Sequence, residues 1–455
     1  MFRQNLRHTG LSPYTGPSSP VLAWSYKTGG SNHPSIGSNE KLYIGSADHN
    51  IYSINSNASL HWSYQTTNWI VSSPAIGSDG KIYINSPDNI YSISSIGGLA
   101  WSYRIKGGGF SIAESSPAID SNGRVYFGSG AGCLYSIESN AILAWSYEEV
   151  DSSSSPAIDL DGKVYIGSGY YDKNLYSFNS NGSLDWSYTT GNINGSSSPA
   201  IDSDGKVYSS SQDVLYCVSS IGALAWSYET VGGFSSPAID SAGKMYIGAQ
   251  DRLYCISSIA ALAWSYKVAD SFPSPAIDSD GEVFITSLYN LYSIHSTGTL
   301  GWSYQTVGFV SPSPMLGSRG KMYGSLGDND LYCIYCIMPQ GEMVLNGSSF
   351  ARGDFFSATF QLNGSITRRF TAYAVVIMPD GSMLDVRTLG PSLRPVAKKV
   401  RHLDSPFSCS LLSLNIPSDS PLGQYEVVAA FFDPSKPIRG RQDALLDVSA
   451  KFAVR

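Results

Sequence analysis

The sequence predicts an all-β chain: an eight-bladed β-propeller closed by its own N-terminal strand, followed by an immunoglobulin-like β-sandwich. Three observations predict it. The tripeptide Trp-Ser-Tyr occurs eight times, at Trp24, Trp62, Trp101, Trp145, Trp186, Trp226, Trp264 and Trp302, with gaps of 38, 39, 44, 41, 40, 38 and 38 residues. A fixed period near 40 marks one supersecondary unit copied in tandem. Each copy divides into four short β-rich runs between turn signals, the make-up of a propeller blade. Past 337 the repeat stops, and runs that alternate apolar and polar residues take over.

The copy at 154–188 shows the unit most plainly. Its first run, Ser155-Pro156-Ala157-Ile158, ends in Asp159-Leu160-Asp161-Gly162; the second covers 163–168; the third, 175–178, closes at Asn181-Gly182; the fourth covers 184–188. Gly, Asp and Asn supply the positive φ that tight hairpins need. The fourth run alternates Leu-x-Trp-x-Tyr, as in Leu60, Trp62, Tyr64 and Leu262, Trp264, Tyr266. Strict period two would put all three large side chains on one face. The residues between are small in most copies, such as Ala263 and Ser265. Each indole is therefore expected to dock on the next unit, which gives all eight tryptophans a structural role.

Counting runs fixes the closure. The proline-centred first run has eight copies, at Pro34, Pro74, Pro117, Pro156, Pro199, Pro237, Pro275 and Pro314. The Trp run also has eight, but its first member, 21–26, precedes every proline-centred run, and the last blade (314–316, 321–325, 331–334) lacks one. The N-terminal run must supply it, which removes the open edges a ring would otherwise keep. The expected organisation is a lead-in at 1–19, the propeller at 20–337, a linker at 338–341 and the sandwich at 342–455. In the sandwich, runs such as 370–378, 408–416 and 425–432 are divided by Asn363-Gly364, Pro379-Asp380-Gly381 and Pro421-Leu422-Gly423. About seven strands in such a span is the immunoglobulin-like pattern.

Composition narrows the function classes. At 455 residues two domains are expected. Charged residues are 14% of the chain against 45 Gly and 30 Tyr, which fits a turn-rich β protein with neutral, hydroxyl-rich surfaces. No run approaches 18 apolar residues, so no membrane-spanning helix is expected. The opening 1–17 has no apolar core of a signal peptide in the sequence as given. Net charge is −7: 1–337 carries 16 basic and 26 acidic side chains, and 338–455 carries 13 and 10. A mildly acidic repeat region argues against a nucleic-acid groove, which needs a basic stripe. The basic cluster Arg394, Lys398, Lys399 and Arg401 is expected on a solvated loop.

Repeats of the form SSPAIDxDGKVYIGS…LYSIxxxGxLxW, over about 5–337, resemble the PQQ-type propeller repeat. Quinoprotein dehydrogenases share it with the propeller lipoprotein of the bacterial outer-membrane barrel-assembly machinery. The lead-in RHTGLSPYTGP is similar to the segment before such repeats in secreted or envelope proteins of bacteria, and SDSPLGQYEV resembles a segment of bacterial Ig-like and macroglobulin-like modules. The resemblance implies an extracellular or envelope location. For an enzyme of the family it would imply a quinone held over a Trp and under a vicinal disulfide, with Glu, Asn and Asp on Ca²⁺. This chain has no adjacent cysteine pair; Cys333 and Cys336 are two residues too wide.

The remaining chemistry is sparse. In Asp159-Leu160-Asp161-Gly162, Asp202-Ser203-Asp204-Gly205 and Asp278-Ser279-Asp280-Gly281 a strand begins directly after Gly, so these are hairpin turns rather than twelve-residue calcium loops. The six histidines show no HxH or HExxH spacing, and no nucleophile elbow or phosphate loop is present. Cys217, Cys255 and Cys333 occupy one repeat position, so they are expected as free buried thiols. No catalytic residue, metal or cofactor is expected. Candidate binding residues are Ser73, Ser116, Ser155, Ser198, Ser236, Ser274 and Ser313, which would ring the channel if the proline-centred strands are innermost. Tyr170 and Tyr171 join them, on an insertion at 169–173; with the connection 104–114 it is the longest departure from the repeat. The expected function is a non-catalytic scaffold for a protein or cell-surface partner. The alternatives are a glycan- or small-ligand-binding propeller and a divergent quinoprotein dehydrogenase.

Overall fold

The computed structural model describes 5–336 apart from 19, 31–32, 71, 107–114, 131, 151–153, 169–171, 191–196, 212, 231, 233–234, 269–273, 288, 307–312, 319 and 327–329; of 337–455 it describes the strands alone. The chain forms two compact units, Met1–Cys336 and Ile337–Arg455. The first unit is eight four-stranded antiparallel sheets. Seven are contiguous in the chain, as blades 1 to 7: 35–65, 75–104, 118–148, 157–189, 200–229, 238–267 and 276–305. Blade 8 combines Met315–Leu316, Met322–Leu326 and Asp330–Cys336 with Pro20–Lys27. Pro20 lies opposite Cys336 and Lys27 opposite Asp330, so the last blade takes its outer strand from the start of the chain. From blade 2 to blade 7 the two-residue first strands touch their counterparts in the next blade; they are the innermost strands, and the Trp strands the outermost.

A local carboxylate shapes the first hairpin. Asp159 accepts the amides of Asp161 and Lys163 at 2.9 Å on one oxygen and the Tyr165 hydroxyl at 2.9 Å on the other. Asp120, Asp202 and Asp240 do the same for Tyr126, Tyr208 and Tyr246. This is the Asx-turn chemistry that makes Asp-x-x-Gly a strand-to-strand punctuation mark. The tyrosines are among the largest fully buried side chains, and the bond to Asp satisfies a hydroxyl that burial would otherwise leave without a partner.

The Trp strand departs from strict alternation. In every blade the register slips by one residue between the Leu and the Trp: Leu60 pairs with Ile54 while Trp62 pairs with Ser53, and a bulge also falls between Leu22 and Trp24. A bulge inserts one unpaired residue and re-aims the side chains beyond it. The eight leucines of these strands are 39% to 48% exposed, so the single apolar face expected from Leu-x-Trp-x-Tyr does not form. Only Trp and Tyr turn toward the packing. Each indole lies 5.7–6.0 Å, centroid to centroid, from an aromatic ring of its own blade. Its Nε1–H crosses to the next blade and donates to a main-chain carbonyl at 2.7–3.1 Å.

The lead-in runs along the inner ring. The amides of Ile158, Ile201, Ile239 and Ile277, one from each of blades 4 to 7, donate to the carbonyls of Leu6, Arg7, Thr9 and Gly10 at 2.8–2.9 Å. Ser12 donates back to the Ile277 carbonyl at 2.7 Å. In blade 7 a phenylalanine, Phe284, stands where other blades carry the Asp-bonded tyrosine. There the Gly16 amide donates to Asp278 Oδ2 at 2.9 Å, taking the place of the missing hydroxyl. A Cβ on Gly16 would lie 2.1 Å from Phe284 Cζ, so no other residue fits. The next residue, Pro17, accepts the indole N–H of Trp302 at 2.7 Å.

The second unit, described by itself, has a three-stranded sheet (Gln340–Leu345, Phe355–Asn363, Phe407–Asn415) and a seven-stranded one built around Phe370–Ile377, Gly423–Phe432 and Leu446–Val454. The first of these strands begins at Gln340, inside the stretch expected as a linker. Lys398 and Lys399 lie on a strand, Val396–Val400, paired with Phe370–Ile377, rather than on a loop. The flanking valines give that segment the β preference that its charge concealed.

Two outcomes are expected of the closure. Deleting 1–30 removes Trp24 and the outer strand of blade 8, and should lower stability by about 3 kcal/mol or more in guanidinium titrations. Deleting 1–17 spares that strand and should cost less. Phe284→Tyr places a hydroxyl beside Asp278 Oδ2 in competition with Gly16, so limited proteolysis should cut within 5–17 faster than in the wild type. An unchanged cleavage rate would remove Asp278 as the anchor.

Candidate functional site

The serines at the centre of the ring divide into two rows with different tasks. Five of the inner row accept the amide of the equivalent serine in the preceding blade: Ser73 donates to Ser116, Ser116 to Ser155, Ser155 to Ser198, Ser198 to Ser236 and Ser236 to Ser274, all at 2.9–3.0 Å. This chain of bonds staples blades 2 to 7 together around the axis. The residues just before them, Ser72, Ser115, Ser154, Ser197 and Ser235, accept amides from the second strand of their own blade at 2.8–3.3 Å. Ser73, Ser116, Ser155, Ser198, Ser236 and Ser274 are buried, and Ser313 is half-buried. Five of the seven hydroxyls read as channel lining thus sit between blades, where they bond main chain; the Ser73 hydroxyl is buried without a hydrogen bond. Tyr170 and Tyr171 lie outside the described residues, as do 107–114 of the longest connection.

The turn aspartates are equally committed. The first Asp of each turn is held by two amides and, in blades 3 to 6, a tyrosine hydroxyl, and among the described residues no group of three or more His, Cys, Asp or Glu is placed to hold a metal ion. Cys217, Cys255 and Cys333 are buried free thiols, opposite Tyr208, Tyr246 and Tyr323 on the neighbouring strand. Burial pushes the Cys217 and Cys255 thiols up to about 11 and Cys333 to about 12. A thiol held protonated is a poor nucleophile at neutral pH.

Two surface features remain. A cleft of about 360 Å³ lies between the first hairpins of blades 4 and 5, with Arg7, Lys163, Asp161 and Asp204 at its edges and Leu160 and Ile221 on its walls. Lys163 is already paired with Asp185 at 2.7 Å, and Arg7 donates to the Asp202 carbonyl at 3.2 Å. The cleft is polar, open and mixed in charge. On the connection between blades 1 and 2, Trp69 is 42% exposed. It is the one tryptophan outside the repeat among the nine of the chain. Its departure from the period was the sequence signal for an indole not used in blade packing.

Comparison with known proteins supports the architecture. The Dos1 propeller superposes with a TM-score of 0.54 at 11% identity, covering 70% of this chain and 94% of that one. The WD40 β-propeller domain of Doa1 aligns at 0.46 and 11% identity, covering 70% and 97%; BBS1N from its complex with ARL6DN aligns at 0.42 and 11%, covering 70% and 96%. No protein-family model and no curated protein matches the chain. The Dos1 likeness, with the eight sheets described above, defines the first unit as an eight-bladed β-propeller.

Ser155→Ala leaves the Ser116 amide without its buried acceptor and should cost about 1–3 kcal/mol, read as a shift in the denaturation midpoint. The thiols make a second test. Below pH 9 they are protonated in both folded and unfolded chains. As pH rises from 9 toward about 11, the unfolded chain loses these protons first, so stability falls across that window. A C217A/C255A variant should lose less stability than the wild type between pH 8 and pH 11. Equal losses would mean the thiols titrate normally.

Proposed function

We propose that the protein is a non-catalytic interaction scaffold whose propeller presents a rigid surface to a protein partner, at the cell envelope or outside it. One observation carries the reading: most side chains of the repeat with any chemical reactivity are bound into the architecture. Indole N–H groups bridge blades, the first turn carboxylates close hairpins, inner hydroxyls staple neighbours and thiols are held neutral. What the ring offers a partner is shape and main chain. We read the repeat as a divergent PQQ-like unit, on the strength of SSPAIDxDGKVYIGS, and the second unit as an Ig-like module, on its two sheets and alternating strands. The envelope location rests on the same resemblance.

A second reading, a site for a glycan or small polar ligand, is favoured by the cleft beside Arg7 and by the exposed Trp69, since aromatic faces and mixed hydrogen-bonding groups suit sugars. Cross-linking of the immobilised full chain in native extract, run beside a glycan array, separates the two. A reproducible stoichiometric protein partner supports the scaffold; saturable glycan binding abolished by Trp69→Ala favours the second reading. Substrate-dependent dye reduction by protein supplied with quinone and Ca²⁺ would overturn both in favour of a dehydrogenase.

A further inference from the structure

We propose that the arc of the inner ring formed by blades 1 and 2 binds an extended peptide of a partner protein by main-chain hydrogen bonding. This deepens the scaffold reading and rests on it. The argument starts from hairpin parity. In blade 4 the Asp159 amide donates to the Lys163 carbonyl, and Ile158 faces Val164. Bonded and non-bonded pairs alternate along an antiparallel ladder, so the N–H and C=O of Ile158 point away from the second strand, toward the axis. The lead-in shows what such an amide takes, because Ile158 donates to the Leu6 carbonyl.

The same parity holds all round the ring. Gly37 donates to Lys41, Gly77 to Lys81, Asp120 to Arg124 and Gly317 to Lys321, so Ile36, Ile76, Ile119 and Leu316 also turn their main-chain groups inward. Blades 4 to 7 spend these amides on the lead-in. Among the described residues no hydrogen bond reaches the amides of the other four. They form a contiguous arc, because blade 8 adjoins blade 1.

The sequence of this arc differs in a way that opens it. Where blades 3 to 7 carry the turn aspartate directly after the inward residue, blades 8, 1 and 2 carry Gly317, Gly37 and Gly77. At Gly77 the space a Cβ would take is filled by Asp79 Oδ1, 2.6 Å away, and Tyr83 Cε2, 3.1 Å away. The consequence is that no side chain rises beside the inward amide, and another backbone can approach it closely. Ile36 and Ile76 are half-buried, whereas Ile119 and Leu316, like Ile158, Ile201, Ile239 and Ile277, are buried, so the open part of the arc is blades 1 and 2. Of the nearby charges, Lys81 pairs with Asp79 at 2.7 Å and Lys321 with Glu40 at 3.8 Å, while Lys41 meets the His61 ring at 2.7 Å. The arc therefore selects an uncharged extended segment, of the texture of Thr9-Gly10-Leu11-Ser12, and not a basic or acidic one. Strand addition of this kind draws affinity from main-chain bonds.

The probe is a random dodecapeptide library panned on the immobilised full chain, and then the selected peptide made synthetically. Ile36→Pro and Ile76→Pro each delete an inward N–H that the ladder does not use. Each should weaken the selected peptide about tenfold, the worth of one hydrogen bond of ~1.4 kcal/mol, with little change in melting temperature. Hydrogen exchange on the wild type needs no variant: the peptide should slow exchange in fragments bearing Ile36 and Ile76 and leave those bearing Ile201 and Ile239 unchanged. Failure to select any peptide, or protection outside the arc, overturns the proposal. A native partner captured equally by the wild type and an I36P/I76P double variant overturns the arc and leaves the scaffold standing. A peptide that meets both criteria supports the arc even where no native partner is captured.

Discussion

An indole N–H reaching across a blade boundary to a main-chain carbonyl is the contact around which the ring is organised. Each Trp packs on a ring of its own blade and bonds to the next, so one side chain fixes both the spacing and the tilt of two neighbours. The receiving turn is shaped for it. Gly97, Gly182, Gly222 and Gly298 have φ between +82° and +89°, and a Cβ at any of them would come within 2.6–2.8 Å of the indole. Seven of the eight acceptors are serine carbonyls at equivalent turns. The eighth is Pro17, because blade 8 has no turn of its own between its third and fourth strands. The lead-in thus replaces a missing piece of the repeat.

Much of this was legible because its causes are local. Asp-x-x-Gly closes its hairpin through one carboxylate and one positive φ, both fixed within five residues, so the turn reading of Asp159-Leu160-Asp161-Gly162 needed nothing from the rest of the chain. The missing Trp run in the last blade was legible by counting. The bulge between Leu60 and Trp62 was not, because period-two reasoning assumes that each residue advances the pleat by one step. The path of the lead-in was also invisible. Its bonds to Ile158, Ile201, Ile239 and Ile277 use carbonyl groups that every residue owns, and no letter of the sequence announces them.

The paired serines show a third kind of limit. Ser154 and Ser155 are adjacent and chemically identical, yet one bonds within its blade and the other receives an amide from the blade before. Only the row of Ser155 was legible as small hydroxyls suited to a crowded axis; Ser154 beside it was passed over. Which neighbour each would meet depended on the curvature of the ring, a property of all eight blades at once.

The exchange of strands between the two ends of the unit also bears on how the chain comes into being. The strand Pro20–Lys27 leaves the ribosome before its partner, Asp330–Cys336, which emerges more than three hundred residues later. At synthesis rates of about 5–20 residues per second, the first strand waits roughly 15–60 s for its mate. Throughout that interval it carries an apolar, aromatic β segment with unpaired main-chain groups. Closure is a long-range event that no local contact can anticipate, in a molecule whose other blades are each built from near neighbours.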